Sequence, residues 1–261
     1  MGSEWTVSRA ASALLDAEAS GTPVAPLSDS WDGLDLATAY AVQDETLRLR
    51  LVRGERLVGV KLGLTSKAKQ QRMNVSSPLT AWLTSAMLFS SGDPVPRDRL
   101  RLIHPRAEPE IVFVLGSRLA GPGVTVVDAL AAVSAVYCGI EVIDSRYRDF
   151  RFTLPDVVAD NGSSGCFALR PAGVPAGSLD LAFEACLLEV DGQVHDSATG
   201  AAVLGHPAAA LALAANDLGR RGLAMEPGWI VATGGMTDAV PCPPGVTVAA
   251  HFTNLGSVYL P

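Results

Sequence analysis

Glu141 constrains this chain more than any other residue, because it interrupts YCGIEVID, a segment otherwise too apolar to accept a lone carboxylate. A buried carboxylate needs a cation or a full set of hydrogen bonds, since leaving water unpaired costs more than a fold of this size can spare. Any architecture proposed for the 261 residues must therefore bring positive charge to that strand. The residue readings leave two sources open, an ion pair with Arg146 or another arginine, and a bound cation.

A second segment bears on the choice. In HPRAEPEIVFVLG, Glu108 and Glu110 stand two apart at the entrance to a strand, so the two-residue period places both carboxylates on one face and Ile111 and Phe113 on the other. Carboxylates held that close repel unless something cationic separates them. A hard, oxygen-seeking divalent ion is the economical solution, and a solvated edge strand is the alternative. Lysine is scarce: Lys61, Lys67 and Lys69 are the only three, and Arg supplies the other seventeen of the 20 basic residues. Lys61 lies in GVKLGLTS between Val60 and Leu62, which points its ammonium into a cleft rather than across open water. Asp144 and Arg146, in IDSRY, read as a structural pair.

The texture of the chain predicts an α+β fold. Residues 1–57 read as a helical N-terminal region, with Ala11, Leu14 and Leu15 and then Ala37, Tyr40, Ala41 and Leu47 at helical spacing around a loop at 20–34. From residue 58 to 261 the segments VGVKLGL, EIVFVL, GIEVID, FEACLLEVDGQV, WIVATGG and VTVAAHF read as strands. Two helices interrupt them, one from an N-cap at Asp128 through Val136 and one from Pro207 to Leu218, stopping near Gly219. Strands and helices do not alternate, which disfavours a doubly wound parallel sheet and favours a rolled or sandwiched mixed sheet.

Other chemistries are disfavoured. A net charge of -7 with no basic stripe argues against a nucleic-acid partner. The cysteines at 138, 166, 186 and 242 lack metal-knuckle spacing and read as reduced thiols, and the expected location is the cytoplasm. No uninterrupted apolar stretch of membrane-spanning length is read, and no signal peptide, while MGSEWT fits the myristoylation pattern only loosely. There is no nucleophile elbow, no phosphate loop and no dinucleotide fingerprint. His206 reads as a turn or core residue. The loop ADNGSSG (159–165) and the turn ATGGMTDAV (232–240) carry small hydrogen-bonding groups and backbone suited to close approach of a ligand.

In order, GVKLGLTSKAKQ, HPRAEPEIVFV, GIEVIDSRYRDFRF, VVADNGSSG, GAAVLGHP, ATGGMTDAV and NLGSVYL resemble the 4-oxalocrotonate decarboxylase and vinylpyruvate hydratase family of the fumarylacetoacetate hydrolase superfamily. The resemblance runs from about Val58 to the end. It implies a fumarylacetoacetate-hydrolase-like mixed β-roll or sandwich, Mg2+ or Mn2+ with no organic cofactor, and a place in the meta-cleavage route of aromatic catabolism. It also implies metal ligation by Glu108, Glu110 and Glu141, an active-site Lys61, and a small 2-oxo acid held by Asn161, Ser163 and Ser164, with Leu79, Thr233 and Gly234 nearby. The expected assembly is a homo-oligomer, with a complex with a hydratase of the same pathway as a further partner. Leu79-Thr80 where hydratases carry an acid after the proline, and Gly234-Gly235-Met236-Thr237 where they read SGALGP, lean toward the decarboxylase. The alternatives are the hydratase and an idle scaffold homologue. Thr80-Ala81-Trp82 departs from the family pattern, and Leu79 and Trp82 are expected at the lid.

Overall fold

The computed structural model describes residues 4–66, 70–71, 78–94 and 101–261. Met1 to Ser3 of the myristoylation pattern, Lys67, Lys69 and Ser77 lie outside them. Two helices lead in, α1 (Val7–Ser20) and α2 (Leu36–Val52), capped by the side chains of Thr6 and Asp35. The spacing predicts the α1 face correctly: Ala11, Leu14 and Leu15 are buried. On α2 the face is different, since Ala37 and Ala41 are exposed and Ala39, Val42, Gln43, Thr46 and Arg50 turn inward. Hydrogen bonding is the reason. The buried Gln43 amide donates to the carbonyls of Thr80 and Val158, and Arg50 pairs with Glu18 and Glu55, so polar residues occupy a face that apolar periodicity does not reveal.

Twelve strands follow: β1 (Leu57–Gly63), β2 (Leu79–Thr84), β3 (Leu88–Ser90), β4 (Arg106–Leu115), β5 (Val133–Ile143), β6 (Ser164–Leu169), β7 (Ala185–Val190), β8 (Gln193–Thr199), β9 (Ile230–Ala232), β10 (Val240–Pro241), β11 (Val248–Phe252) and β12 (Gly256–Leu260). One mixed sheet has the order β2-β1-β9-β4-β5-β6-β3 with β10 on β4, and a second, antiparallel sheet has the order β12-β11-β7-β8. The second sheet's β7–β8 hairpin turns at Asp191-Gly192, both at positive φ, the geometry that matches strand twist.

Interspersed among the described strands are the helices α3 (Val126–Ala131), α4 (Leu154–Ala159) and α5 (Pro207–Arg220). The expected helix from Asp128 to Val136 is corrected at both ends. Thr125 is the N-cap and Asp128 its reciprocal partner three residues on, and the β-branched Val133 and Val136 already belong to β5. α5 begins as expected, with His206 as its cap through Nδ1. Together with the preceding turn it forms Gly200–Arg220, long and apolar enough by composition to cross a membrane, yet Ala208, Leu211, Ala215 and Leu218 are fully buried against the sheets.

The main core lies between the two sheets and α5. β1 contributes Val60 and Leu62, β4 contributes Ala107, Ile111 and Phe113, and β5 contributes Val136, Cys138, Ile140 and Val142. The strand period sends the alternating residues, Lys61, Glu108, Glu110 and Glu141, to the opposite face of the large sheet. There the N-terminal helices and α4 form a second core with Leu79, Ala81 and Tyr147. Gln43 joins α2, β2 and α4, so Gln43→Ala, which removes two buried hydrogen bonds, should lower unfolding stability by about 2 kcal/mol, read from the urea midpoint at unchanged slope.

Candidate metal and substrate site

The β4–β5 register sets Glu108 directly opposite Glu141, with Glu110 one alternate position further along β4. Oxygens from Glu108, Glu110 and Glu141 lie within 4.8 Å of one another, and the residues are 7%, 0% and 1% exposed. Lys61 reaches the cluster from β1. Its Nζ donates to the Gly162 carbonyl at 2.6 Å and lies 2.8 Å from Glu141 Oε1. That second contact is a buried ion pair. Among the described residues the cation that Glu141 demanded is thus Lys61 in the first instance, and neither Arg146 nor another arginine.

One ammonium does not balance three carboxylates. Glu110 Oε1 and Glu141 Oε2 are buried without a hydrogen-bond partner. Burial, followed by the charges of Glu141 and Glu108, pushes the Glu110 carboxyl well above the ordinary carboxylate range; burial raises Glu141 too, against the pull of Lys61. Three clustered carboxylates, with buried oxygens of Glu110 and Glu141 left without a partner among the described residues, fit a hard divalent cation such as Mg2+ or Mn2+ on geometry and donor chemistry.

Backbone from two loops completes the floor. The turn after β9 places the Gly234 amide 2.8 Å from Glu110 Oε2, and the Thr233 hydroxyl donates to the Ile111 carbonyl, tying that turn to β4. Gly234 takes φ +101, and a Cβ there would fall 2.1 Å from Thr65 Oγ1. A Cβ on Gly235 would fall 2.1 Å from Glu108 Oε2. The loop at 159–165 serves differently from expectation. Asn161 accepts from the Trp82 amide and donates to the Trp82 carbonyl, which ties the loop to β2, and the Ser164 hydroxyl donates to the Asn161 carbonyl, which braces the loop itself; neither side chain lines the cavity. Ser163 and Gly162 line the cavity. Behind them Asp160 binds Arg146, the strongest buried ion pair of the region, while Asp144 accepts from the amides of Ile103 and His104. The expected Asp144–Arg146 side-chain pair is therefore replaced, although both residues are structural.

The cavity above the floor measures about 380 Å3. Leu79 lines it, as expected. Trp82 does not: its side chain packs with Val60 and Leu62, and its Nε1 donates to Asp44. The cavity also takes in Arg106, Phe150, Phe152, Val157 and Asp238, none of which sequence reasoning singled out. One signal was available for Arg106, which has the same parity as Glu108 and Glu110. Phe150 carried none, since it stands next to Asp149 with both at positive φ, a conformation that costs an L-residue roughly 1–2 kcal/mol.

Comparison with known proteins agrees with this geometry. No family profile matches the chain. A 4-oxalocrotonate decarboxylase of a Pseudomonas species is 40% identical over 252 residues, 97% of this chain and 96% of that protein. The chain belongs to the 4-oxalocrotonate decarboxylase and vinylpyruvate hydratase family. A 2-hydroxyhexa-2,4-dienoate hydratase of Comamonas testosteroni, a member with the other activity, is 40% identical over 89% of this chain and 87% of its own. The solved 4-oxalocrotonate decarboxylase of Pseudomonas putida G7, complexed with magnesium and adipate, superposes at a TM-score of 0.94 with 37% identity, covering 97% of this chain and 96% of that one. The fold extends to a more distant fumarylpyruvate hydrolase of Pseudomonas aeruginosa, with a TM-score of 0.60, 16% identity and coverage of 78% and 88%. The α+β fumarylacetoacetate-hydrolase-like architecture read from the family's motifs is the one observed.

Gly235→Ala isolates the cluster from the fold, because the flexible end of Glu108 can give way to the new methyl without backbone movement. Mn2+ affinity, followed by loss of the free-ion paramagnetic resonance signal, should fall roughly ten- to a hundred-fold. The melting temperature of the metal-free protein should stay within a few degrees.

Proposed function

We propose that the chain is a divalent-metal-dependent decarboxylase of 2-oxo-3-hexenedioate (4-oxalocrotonate), yielding 2-hydroxypenta-2,4-dienoate, with Glu108, Glu110 and Glu141 as the metal ligands and Lys61 as the active-site cation. The observation that carries the reading is the buried three-carboxylate cluster with its unpartnered oxygens beside Lys61, at the floor of a cavity walled by apolar side chains. Near-complete similarity to a decarboxylase supports the choice of reaction.

A divalent ion, which Glu108, Glu110 and Glu141 would hold, would supply Lewis acidity toward the 2-oxo acid. The substrate's C6 carboxylate is a vinylogous β-keto acid. The C5–C6 bond breaks, CO2 departs, and the bonding pair moves through C4 and C3 to the C2 oxygen, where a proton is then taken up. Lys61, fixed between Gly162 and Glu141, stabilises the charge that builds at that oxygen, and it does so without reorganising because both its contacts pre-exist. Gly234 keeps Glu110 aimed at the cluster. Leu79, Phe152 and Val157 exclude water from the carbon chain, which keeps water from adding to the dienolate.

Hydration of 2-hydroxypenta-2,4-dienoate to 4-hydroxy-2-oxopentanoate is the second reading, favoured by the hydratase names among equally similar relatives. It needs a group that delivers a proton. Leu79 cannot, and Asp238 is the carboxylate on the cavity wall placed to try. Cytoplasmic residence, homo-oligomeric assembly and association with a pathway hydratase belong to the same proposal and rest on family membership.

Metal-stripped protein given 2-oxo-3-hexenedioate should release CO2 only when Mg2+ or Mn2+ is restored, and Glu108→Ala should lose at least about a hundred-fold in kcat/KM. Consumption of the dienoate without CO2 release from the hexenedioate would instead establish the hydratase. In Lys61→Met, kcat should fall by roughly a hundred- to a thousand-fold while Mn2+ still binds, the expected cost of removing one preorganised charge. An unchanged kcat would remove Lys61 from the chemistry.

A further inference from the structure

The cavity has two polar ends separated by an apolar middle. Glu108 and Lys61 line its floor, Leu79 and Phe152 wall its middle, and Arg106, opposite Ile143 across the ladder, stands at its rim. Arg106 opens β4 and shares the face of Glu108 and Glu110, one alternate strand position beyond Glu108, a step of about 7 Å. That step is comparable to the length of a six-carbon diacid. Floor and rim are thus spaced for the two ends of one small, extended dianion.

Arg106 is also available. No carboxylate among the described residues forms an ion pair with it, whereas Arg50, Arg118, Arg146, Arg151, Arg220 and Arg221 are all engaged. What holds the guanidinium is an aromatic face: Cζ lies 4.2 Å from the Phe150 ring centroid. Phe150 is itself packed on His104 at 4.5 Å and set by consecutive positive φ angles at Asp149 and Phe150. Seating an arginine on a ring fixes its plane while leaving its N–H edge free, the arrangement that suits in-plane recognition of a carboxylate.

We propose that Arg106 binds the distal carboxylate of the substrate and makes the site selective for dicarboxylic over monocarboxylic 2-oxo acids, an inference that rests on the 2-oxo-acid reading above. Arg106 is a specificity residue in this scheme. It holds the carboxylate before cleavage and loses its partner when CO2 leaves uncharged, so it lowers KM and does not raise kcat.

The test uses two unreactive saturated acids of equal length, 2-oxoadipate and 2-oxohexanoate, titrated calorimetrically into the Mg2+-loaded protein. The natural protein should bind the diacid roughly ten-fold more tightly, the worth of one partly exposed charge-assisted pair. Arg106→Met should bring that ratio to about one while leaving 2-oxohexanoate affinity unchanged; Arg106→Lys should keep part of the preference, and Phe150→Leu should reduce it with the charge retained. With 2-oxo-3-hexenedioate, KM should rise about ten-fold in Arg106→Met at undiminished kcat. Equal binding of the two acids by the natural protein would overturn the assignment without any variant, as would a parallel loss of both acids in Arg106→Met, which marks a structural role. Failure of both acids to bind the natural protein with Mg2+ present would instead remove the 2-oxo-acid reading, and this inference with it.

Discussion

Glu108 and Glu141 face each other across a β ladder, and like charges at directly opposed positions destabilise the pairing that holds them there. Much of the surrounding structure counters that repulsion. Glu110 adds a third carboxylate to the same face, and the sheet tolerates the group because β4 is held on both sides, by β5 along its length and, on the other edge, by β10 at Arg106 and Ala107, by the amides of Met236 and Thr233 on the Pro109 and Ile111 carbonyls, and by β9 beyond. Lys61 arrives from β1, whose parallel pairing with β9 sets Lys61 against Ala232 and so at the right depth. A loop or an edge strand would move under the same load. The charges remain together because the rigid centre of the sheet holds them.

The second constraint is steric. Carboxylates can converge on one point only if nothing else occupies the space around them, and the chain clears it with backbone. Gly234 and Gly235 pass so close to Thr65 and Glu108 that a methyl group at either would displace a neighbour. Gly162 presents its carbonyl to Lys61 from a left-handed conformation, and a Cβ there would lie 2.9 Å from the Lys61 side chain. The loop bearing Gly162 is fixed in turn by Asn161 on the Trp82 backbone and by Asp160 on Arg146. These polar side chains act through position. Breaking the Asn161 contacts would free Gly162 and, through it, Lys61.

How much of this was legible in the sequence follows from the range of each signal. Parity along a strand is local, so the shared face of Glu108 and Glu110 and the seclusion of Lys61 between Val60 and Leu62 could be read directly. The carboxylate at Glu141 announced a partner but not its identity, because Lys61 and Arg146 are equally plausible until the strand order is known. Asn161 and Ser164 look like ligand-binding residues in any list of small polar groups; only the fold shows their hydrogen bonds already spent on Trp82 and on the loop itself. The buried face of α2 escaped apolar periodicity because Gln43 and Arg50 lie inside with their partners. The α3–β5 boundary was misplaced because alanine and valine alternate there without a glycine or proline to mark the change.

Decarboxylase and hydratase relatives resemble the chain to the same degree, at 40% identity each, so overall similarity does not choose between the reactions. Nor can the floor of the site. Both reactions begin from a chelated 2-oxo acid or its enol, and three carboxylates with a lysine serve either. The choice must lie in the wall, where Leu79 offers no proton, Phe152 and Val157 keep the carbon chain dry, and Asp238 is the carboxylate placed to move a proton. A dry wall suits release of CO2, because no water then stands beside the diene to add to it. A hydratase built on the same floor has the opposite need, a water held beside the diene and an acid to protonate it. On the proposed reading, the choice between the two reactions lies along the cavity wall, over a charge cluster that serves both schemes.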